Sequence, residues 1–384
     1  MRLGADAARP LLAVGAMSGT SLDGVTVALV RVAEPAPGDF GVALVGHATS
    51  PYTVEQRARL AAAVQGAGGS RDLALLHADL GRWIADAVLA LVQATGHRPS
   101  DLSFVASHGQ TVWHEPRRAT LQIGNPAEIA ERVGVPVISD FRSRDVAAGG
   151  EGAPLVPRVD RLLFAAADAP RVLLNIGGIA NFTVVPKRGV EDRLLAFDTG
   201  PGVMVIDACV RQLFPGRSYD EGGAIARRGR VIEEVLAESL GHEFFAAPPP
   251  KSTGREVFGD AYARAFAARC LERGAEPEDV VATAVELTAR TIGGAARFIP
   301  APLRPADVVR SGGGARNPAL VEALERAWPG VTHRAFDDLF FDGDAKEAVA
   351  FAFLAYLTWT GRSGNEPGAT GAAGPRVLGT VTPP

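Results

Sequence analysis

Two apolar runs, LLAVGAM at 11–17 and VTVALVRV at 25–32, flank a tip of small and polar residues, Ser18-Gly19-Thr20-Ser21-Leu22-Asp23-Gly24. Short apolar runs bounded by glycine read as buried strands, so residues 11–32 are expected to form a hairpin. The polar AEPAPGDF at 33–40 reads as a loop. Residues 54–65 and 72–95 carry helical spacing, the second through Leu73, Leu76, Leu80, Trp83, Ile84, Ala87, Val88 and Leu91, the stripe of a helix that buries one face. Residues 102–107 and 135–139 read as strands and 127–133 as a short helix. The opening pattern then returns as RVLLNIGGIANFTVV at 171–185, and a further apolar arm, LLAFDTGPG, carries Asp198. Helices are expected at 203–214, 230–240, 256–273, 277–298 and 318–328, and a strand at 306–310. A last helix, 344–359, has Asp344 as its N-cap, and the tail 361–384 reads as loop-rich. Strands alternating with helices place the chain in the α/β class. Two strand–tip–strand units about 160 residues apart point to two similar halves rather than a short repeat. The Gly- and Pro-rich 145–157 reads as the boundary. The expected domains are therefore 1–145 and 146–384, with a tail of about 360–384 that can pack back on the first.

Composition narrows the function classes. The 384 residues are 47% hydrophobic, enough for a large core and about two domains at roughly 150 residues each. The net charge is −4 and no basic run exists, so nucleic acid is not an expected partner. Cys209 and Cys270 are too few for a disulfide framework or a cysteine zinc site; buried thiols in a reducing compartment are expected. Arg2 and Arg9 precede an apolar run that is short for a signal peptide and leads straight into the glycine-rich tip. No stretch approaches the roughly 20 apolar residues of a membrane helix. The expectation is a soluble, cytoplasmic chain with no membrane partner. Of 39 basic residues only Lys187, Lys251 and Lys346 are lysines, which makes Lys251 and Lys346 candidates for a specific task.

No G-x-x-x-x-G-K-[ST] loop is present, and no G-x-G-x-x-G opens a strand–turn–helix unit. Three other glycine-rich tips remain, at 18–24, 175–181 and 311–317. Glycine at such a tip lets backbone N–H groups approach phosphate oxygens. Two hairpin tips, the second with Asn175, Gly177 and Gly178, would grip the phosphates of a nucleotide. The third, with Gly312, Gly313 and Gly314, would hold the nucleoside end or bring a helix N-terminus near a phosphate. Three ordinary turns are the alternative.

MSGTSLDG, SHGQTVWH, TLQIGNPAEIAERVGVPVISDFRSRDVAAGGEGAPLVP, LLNIGGIANFT, AFDTGPG, PPKSTGRE, SGGGARN and KEAVAFAFLA, in order from about residue 12 to 381, resemble the anhydro-N-acetylmuramic acid kinases. The resemblance implies a two-domain actin/hexokinase/Hsp70 fold of the ribonuclease H-like kind, with an ATP cleft between the domains. It implies conversion of 1,6-anhydro-N-acetylmuramate, ATP and water into N-acetylmuramate 6-phosphate and ADP, in peptidoglycan recycling, by a homodimer. Gly19, Thr20, Ser21, Leu22, Asp23, Gly24, Val25 and Thr26 match the family's ATP-phosphate segment, with Asp23 near Mg²⁺ through the metal's water shell; a turn-capping Asp-Gly pair is the alternative. Asp198 matches the catalytic aspartate, the base that takes a proton from water as in inverting glycosidases; read alone, it is a strand-end turn residue. His108, Gln110 and Thr111 are candidates for the sugar's polar groups, and Arg142 or Arg144 for its carboxylate, since guanidinium forks onto carboxylates. Glu347 resembles a family glutamate that orients Asp198 or relays a proton, although a first-turn glutamate is also ordinary dipole compensation. Residues 251–256, KSTGRE, resemble a family segment without a derivable role. Two positions depart from the family: Val203 stands where Asn is usual after DTGPG, and Thr26 where Asp is frequent. Two further readings remain open, a kinase for an ordinary free sugar and a silent nucleotide-binding regulator; the retained Asp198 and the lack of a helix-turn-helix ahead of the first hairpin disfavour the second.

Overall fold

The computed structural model describes residues 10–19, 21–190 and 194–384. Its strands are β1 (Leu11–Ser18), β2 (Gly24–Ala36), β3 (Asp39–Pro51), β4 (Phe104–Ser107), β5 (Gln110–Glu115), β6 (Ala119–Ile123), β7 (Val137–Ser139), β8 (Arg171–Ile176), β9 (Ile179–Val185), β10 (Leu195–Pro201), β11 (Asp307–Ser311), β12 (Thr332–Ala335) and β13 (Thr380–Thr382). The chain divides into two units. The first runs to Phe164 and resumes at Asp344; the second spans Ala165–Gly343.

The first unit holds a sheet in the order β13-β7-β4-β1-β2-β3. β1, β2 and β3 form an antiparallel meander, and β4 and β7 continue it in parallel with β1. The second unit repeats the plan in the order β10-β9-β8-β11-β12, with β8, β9 and β10 antiparallel and β11 and β12 parallel to β8. A meander of three followed by two parallel strands, in the order 3-2-1-4-5, is the ribonuclease H-like arrangement, and it occurs twice. The duplicated α/β fold expected from the two hairpins is therefore present.

The helices form where the apolar spacing placed them. Helix Ser70–Ala94 buries Leu76, Leu80, Ile84, Val88 and Leu91 in the first core. Helix Lys346–Trp359 is buried continuously from Ala348 to Leu357. It lies so close to β1 that a Cβ at Gly15 would stand 1.9 Å from the Ala348 carbonyl oxygen, an approach only glycine permits. Cys209 and Cys270 are free and buried as expected. No helix among the described residues is long and apolar enough to cross a membrane.

Several expectations need correction. The loop expected at 33–40 is the end of a long hairpin, in which β3 follows β2 after a short turn. β3 escaped notice because it is an edge strand, mostly half-buried or exposed. Asp344 does not cap the last helix, whose N-cap position is Ala345. The helix expected at 230–240 starts at Glu233, and that at 256–273 is broken into Arg255–Phe258 and Asp260–Glu272. The stretch 145–157 is not a linker. Asp145 is fully buried there and accepts hydrogen bonds from the Gly152 amide, Asn365 Nδ2 and the Thr370 hydroxyl, each at 2.8 Å. The following helix, Val156–Phe164, packs on β3 and on helix Lys346–Trp359. The division therefore falls after Phe164 rather than at 145, and the whole segment from Asp344, not only the tail from about 360, joins the first unit.

Candidate active site

In the first unit β1, β4 and β7 run parallel, with Ala16 opposite Ser107 and Ser107 opposite Ser139. Their carboxyl ends open on one edge, where ligands of α/β sheets bind. The tip after β1 is closed by the Leu22 amide donating to the Gly19 carbonyl at 3.2 Å. Leu22 has φ 56, uncommon for a residue with a side chain; its packing against the core holds it there. Gly24 is glycine for a structural reason, since a Cβ would meet the Ser50 carbonyl at 2.3 Å. Gly19 has no such reason: its nearest neighbour would be Ser21 Oγ at 3.8 Å. Ser21 and Asp23 are exposed at the tip. Asp23 is 68% exposed and lies 3.5 Å from Arg57, a surface pair weak enough for a ligand to displace. Thr20 lies outside the described residues. Val25 turns into the core, so only its backbone can face a ligand, and the Thr26 hydroxyl pairs with Thr49 at 2.9 Å.

The sequence candidates of β4, β5 and the segment after β7 meet around His108. This ring is buried, accepts at Nε2 from Arg142 Nε at 2.9 Å, and hydrogen-bonds through Nδ1 to the Gly109 carbonyl at 2.9 Å. A guanidinium can only donate, so Nδ1 carries the proton and the imidazole is neutral. Burial, with Arg142 assisting, holds its pKa down at about 3. Arg142 spends Nε on His108 and Nη1 on the Gly152 carbonyl at 2.8 Å, leaving Nη2 without a partner among the described residues. Burial lowers its pKa, and the charge of Glu347 opposes that only in part. Arg144 is exposed on the short helix Ser143–Ala147, so the structure favours Arg142 of the two. Gln110 is buried and committed internally: its Oε1 accepts from Ser18 Oγ at 2.6 Å and its Nε2 donates to the Thr111 carbonyl at 3.2 Å. Tyr52 joins the same group through Ser18 at 2.7 Å. Gln110 thus braces the tip at β1, while the Thr111 hydroxyl accepts from Gln122 at 3.3 Å. Glu347 is open to solvent, although the protein around it pushes its carboxyl above the ordinary value and Lys346 and Arg142 pull it back.

In the second unit β8, β10 and β11 share a direction, so the tips at 175–178, 200–204 and 311–314 lie on one edge. The amides of Gly202 and Met204 donate to the Gly178 carbonyl, and that of Val203 to the Gly177 carbonyl, at 2.8–3.2 Å. Gly312, at φ 83, would place a Cβ 2.7 Å from Asn175 Oδ1, and a Cβ on Gly314 would strike Ile176 at 2.4 Å. Gly177 and Gly313, like Gly19, have room for a side chain. Val203 holds the N-cap position of helix Met204–Leu213 and offers it no side-chain bond.

Asp198 stands just before an irregularity in β10. It pairs with Asn181, but the next pair is Gly200 with Ala180, so Thr199 is bulged out. Bulges beside functional sites re-aim a side chain. The Thr199 hydroxyl donates to the Ala180 carbonyl at 3.0 Å. Asp198 is half-buried; Oδ2 accepts the Thr253 amide at 2.9 Å, and its own amide donates to the Lys251 carbonyl at 3.1 Å. Oδ1 has no partner among the described residues. Burial raises the carboxyl's pKa, the Thr253 amide opposes that, and Glu256 adds to it. A carboxylate with one oxygen fixed, one free and an elevated pKa is equipped to take a proton from a weak acid. Among the described residues no group of three His, Cys, Asp or Glu side chains could hold a metal ion.

A profile of the family described as anhydro-N-acetylmuramic acid kinase matches residues 11–384. Curated relatives of that name include one from Caldanaerobacter subterraneus subsp. tengcongensis, 42% identical over 97% of this chain and 96% of the relative, and one from Ralstonia nicotianae, 45% identical over 96% and 97%. The chain belongs to the anhydro-N-acetylmuramic acid kinase family. As a member it is a phosphotransferase. A solved structure, the (R)-2-hydroxyglutaryl-CoA dehydratase component A of Acidaminococcus fermentans, is similar with a TM-score of 0.47 and 14% identity over 91% of this chain and 99% of that one.

In this family member the 251–256 segment is the part of the site that residue spacing does not reveal. Lys251 and Thr253 supply both backbone contacts to Asp198. The scarcity of lysine pointed at Lys251, but nothing in the spacing joined it to a residue more than fifty positions earlier.

Proposed function

We propose that this kinase opens the 1,6-anhydro ring of 1,6-anhydro-N-acetylmuramic acid as it phosphorylates O6 from ATP, giving N-acetylmuramate 6-phosphate and ADP in cell-wall recycling. The observation that carries the reading is the free, proton-hungry Oδ1 of Asp198. Asp198 takes a proton from water as the water oxygen bonds to C1. The C1–O6 bond breaks, its electrons pass to O6, and O6 attacks the γ-phosphorus in line. The γ-phosphorus then releases the bridging oxygen of ADP, and Asp198 returns its proton to solvent. Phosphoryl transfer of this kind needs positioning and charge stabilisation more than covalent help from the protein.

The remaining residues fall into roles by their chemistry. Arg142, with Nη2 to spare, takes the lactyl carboxylate, and neutral His108 keeps the guanidinium oriented. Gly19, Gly177 and Gly313 leave backbone amides uncovered for phosphate oxygens, with Ser21, Leu22, Asn175, Gly178, Gly312 and Gly314 forming the walls of those tips. Glu347, which resembles the family glutamate, relays a proton. A solvent-open Asp23 fits Mg²⁺ held chiefly by phosphates and water; the ion would neutralise phosphate charge, and Asp23 would orient its water shell. With this reading go a cytoplasmic location, expected from the sequence pattern, and a homodimer, implied by the family resemblance.

The test is ADP release from ATP with the anhydro-sugar, with reducing N-acetylmuramate, or with neither. Release only with the anhydro-sugar is expected. Release with the reducing sugar would make the protein an ordinary sugar kinase, and no release with either would make it a silent nucleotide binder.

A further inference from the structure

We propose that Lys251 is a positioning residue for Asp198: its ammonium pins the short segment 251–253, whose Lys251 carbonyl and Thr253 amide clamp the aspartate and leave Oδ1 as the working oxygen. The inference rests on the reading of Asp198 as the base.

Lys251 Nζ donates to the Phe244 carbonyl at 2.9 Å and to the Phe245 carbonyl at 3.4 Å, near the end of the short helix Glu243–Ala246. It also stands over three rings, 4.6 Å from Phe244, 4.9 Å from Phe298 and 5.8 Å from Phe197. Phe197 directly precedes Asp198. The side chain therefore fastens to the strand beside the aspartate while its backbone bonds to the aspartate's own amide. No carboxylate pairs with Lys251 among the described residues. Arg297 faces it, donating to the same Phe245 carbonyl and lying 4.6 Å from the Phe298 ring. A lysine held by carbonyls and rings, with a like charge as neighbour, is not an ordinary surface cation. Desolvated cation–ring contacts are among the stronger ones, so the cage is a rigid anchor.

Two further observations tie the segment to chemistry at Asp198. Thr253 Oγ1 is covered by protein and has no hydrogen-bond partner among the described residues, so a polar atom of this segment is left unpaired. Glu256, on the same segment, acts on the Asp198 carboxyl from the opposite side of the balance, raising its pKa where the Thr253 amide lowers it. Loosening the segment removes the amide bond and leaves burial and Glu256 unopposed. The carboxyl then holds its proton to higher pH and its free oxygen wanders.

The experiment uses Lys251→Met, Lys251→Arg and, should Lys251→Met fail to fold, Phe298→Leu, which weakens the cage without touching the lysine. The readouts are steady-state kinetics across pH and titration of the Asp198 carboxyl by carbon-13 NMR, assigned with Asp198→Asn. Lys251→Met is expected to lower kcat about 10- to 100-fold, the scale of a misplaced reacting group, with KM for ATP unchanged. The acid limb of kcat and the Asp198 titration should move together to higher pH. Lys251→Arg should recover most of both, and Phe298→Leu should shift both the same way by less. A folded Lys251→Met or Phe298→Leu with the titration of the parent protein would overturn the proposal, as would a loss of kcat with an unmoved titration. Should Asp198→Asn still turn over, the base reading fails on its own, and the titration still decides whether Lys251 positions the aspartate.

Discussion

Arg142 and Asp198 each keep one polar atom without a partner among the described residues, Nη2 on the guanidinium and Oδ1 on the carboxylate. For Arg142 the sequence offered two arginines and a reason to want one. The structure separates them, because Arg142 is half-buried against His108 and Gly152 while Arg144 stands in solvent. With one terminal nitrogen free and its charge intact, Arg142 should fork onto the sugar's carboxylate. Charge-assisted hydrogen bonds contribute about 1.5–3 kcal/mol, so Arg142→Ala should raise KM for the anhydro-sugar by roughly 10- to 100-fold with KM for ATP unchanged. Arg142→Lys should fall between, as a point charge without the fork. Steady-state kinetics with both substrates varied checks this, and an unchanged sugar KM would remove Arg142 from the site. Gln110 carries the opposite lesson. Its residue type suggested a sugar ligand, but one amide hydrogen and the carbonyl oxygen are already engaged inside the fold by Thr111 and Ser18. Composition cannot say whether a polar side chain has already found its partner.

At the scale of elements, periodicity carried most of the fold. The long helices Ser70–Ala94, Pro277–Ala295 and Lys346–Trp359 and the hairpins at 11–32 and 171–185 were legible because burial imposes a strict pattern on them. The edge strand β3 and the ribbon of β5 and β6 were not, since both keep much of their surface in water. The Thr199 bulge left no mark either, because a register shift is a relation between two strands. The residue at position 203 has an element-level consequence. Val203 leaves helix Met204–Leu213 without a capping side chain. Replacing a non-capping residue by Asn at such a position is worth about 1 kcal/mol, or roughly 2–4 °C in a domain of this size. Val203→Asn should therefore raise the melting temperature of the second unit, measured by calorimetry; an unchanged or lowered transition would mean that its packing against Gly314 matters more than the cap.

At the scale of the whole molecule, the chain builds the same sheet twice and completes the first copy with its last segment. Asp145 bonds to Asn365 and Thr370, and buried Glu34 pairs with Arg362 and accepts from Tyr356 at 3.2 Å. These partners are more than two hundred residues apart. That distance explains why a Gly- and Pro-rich stretch looked like a linker: the bonds that anchor it come from the other end of the sequence. Each copy sends its candidate residues to the carboxyl edge of its sheet, and the proposed chemistry rests on the second copy's Asp198. The most direct measurement is turnover by Asp198→Asn at saturating ATP and anhydro-sugar, with nucleotide affinity measured alongside. A fall of at least about 100-fold, the usual contribution of a general base, with nucleotide affinity unchanged is the expected result. Turnover close to that of the parent protein would contradict the account.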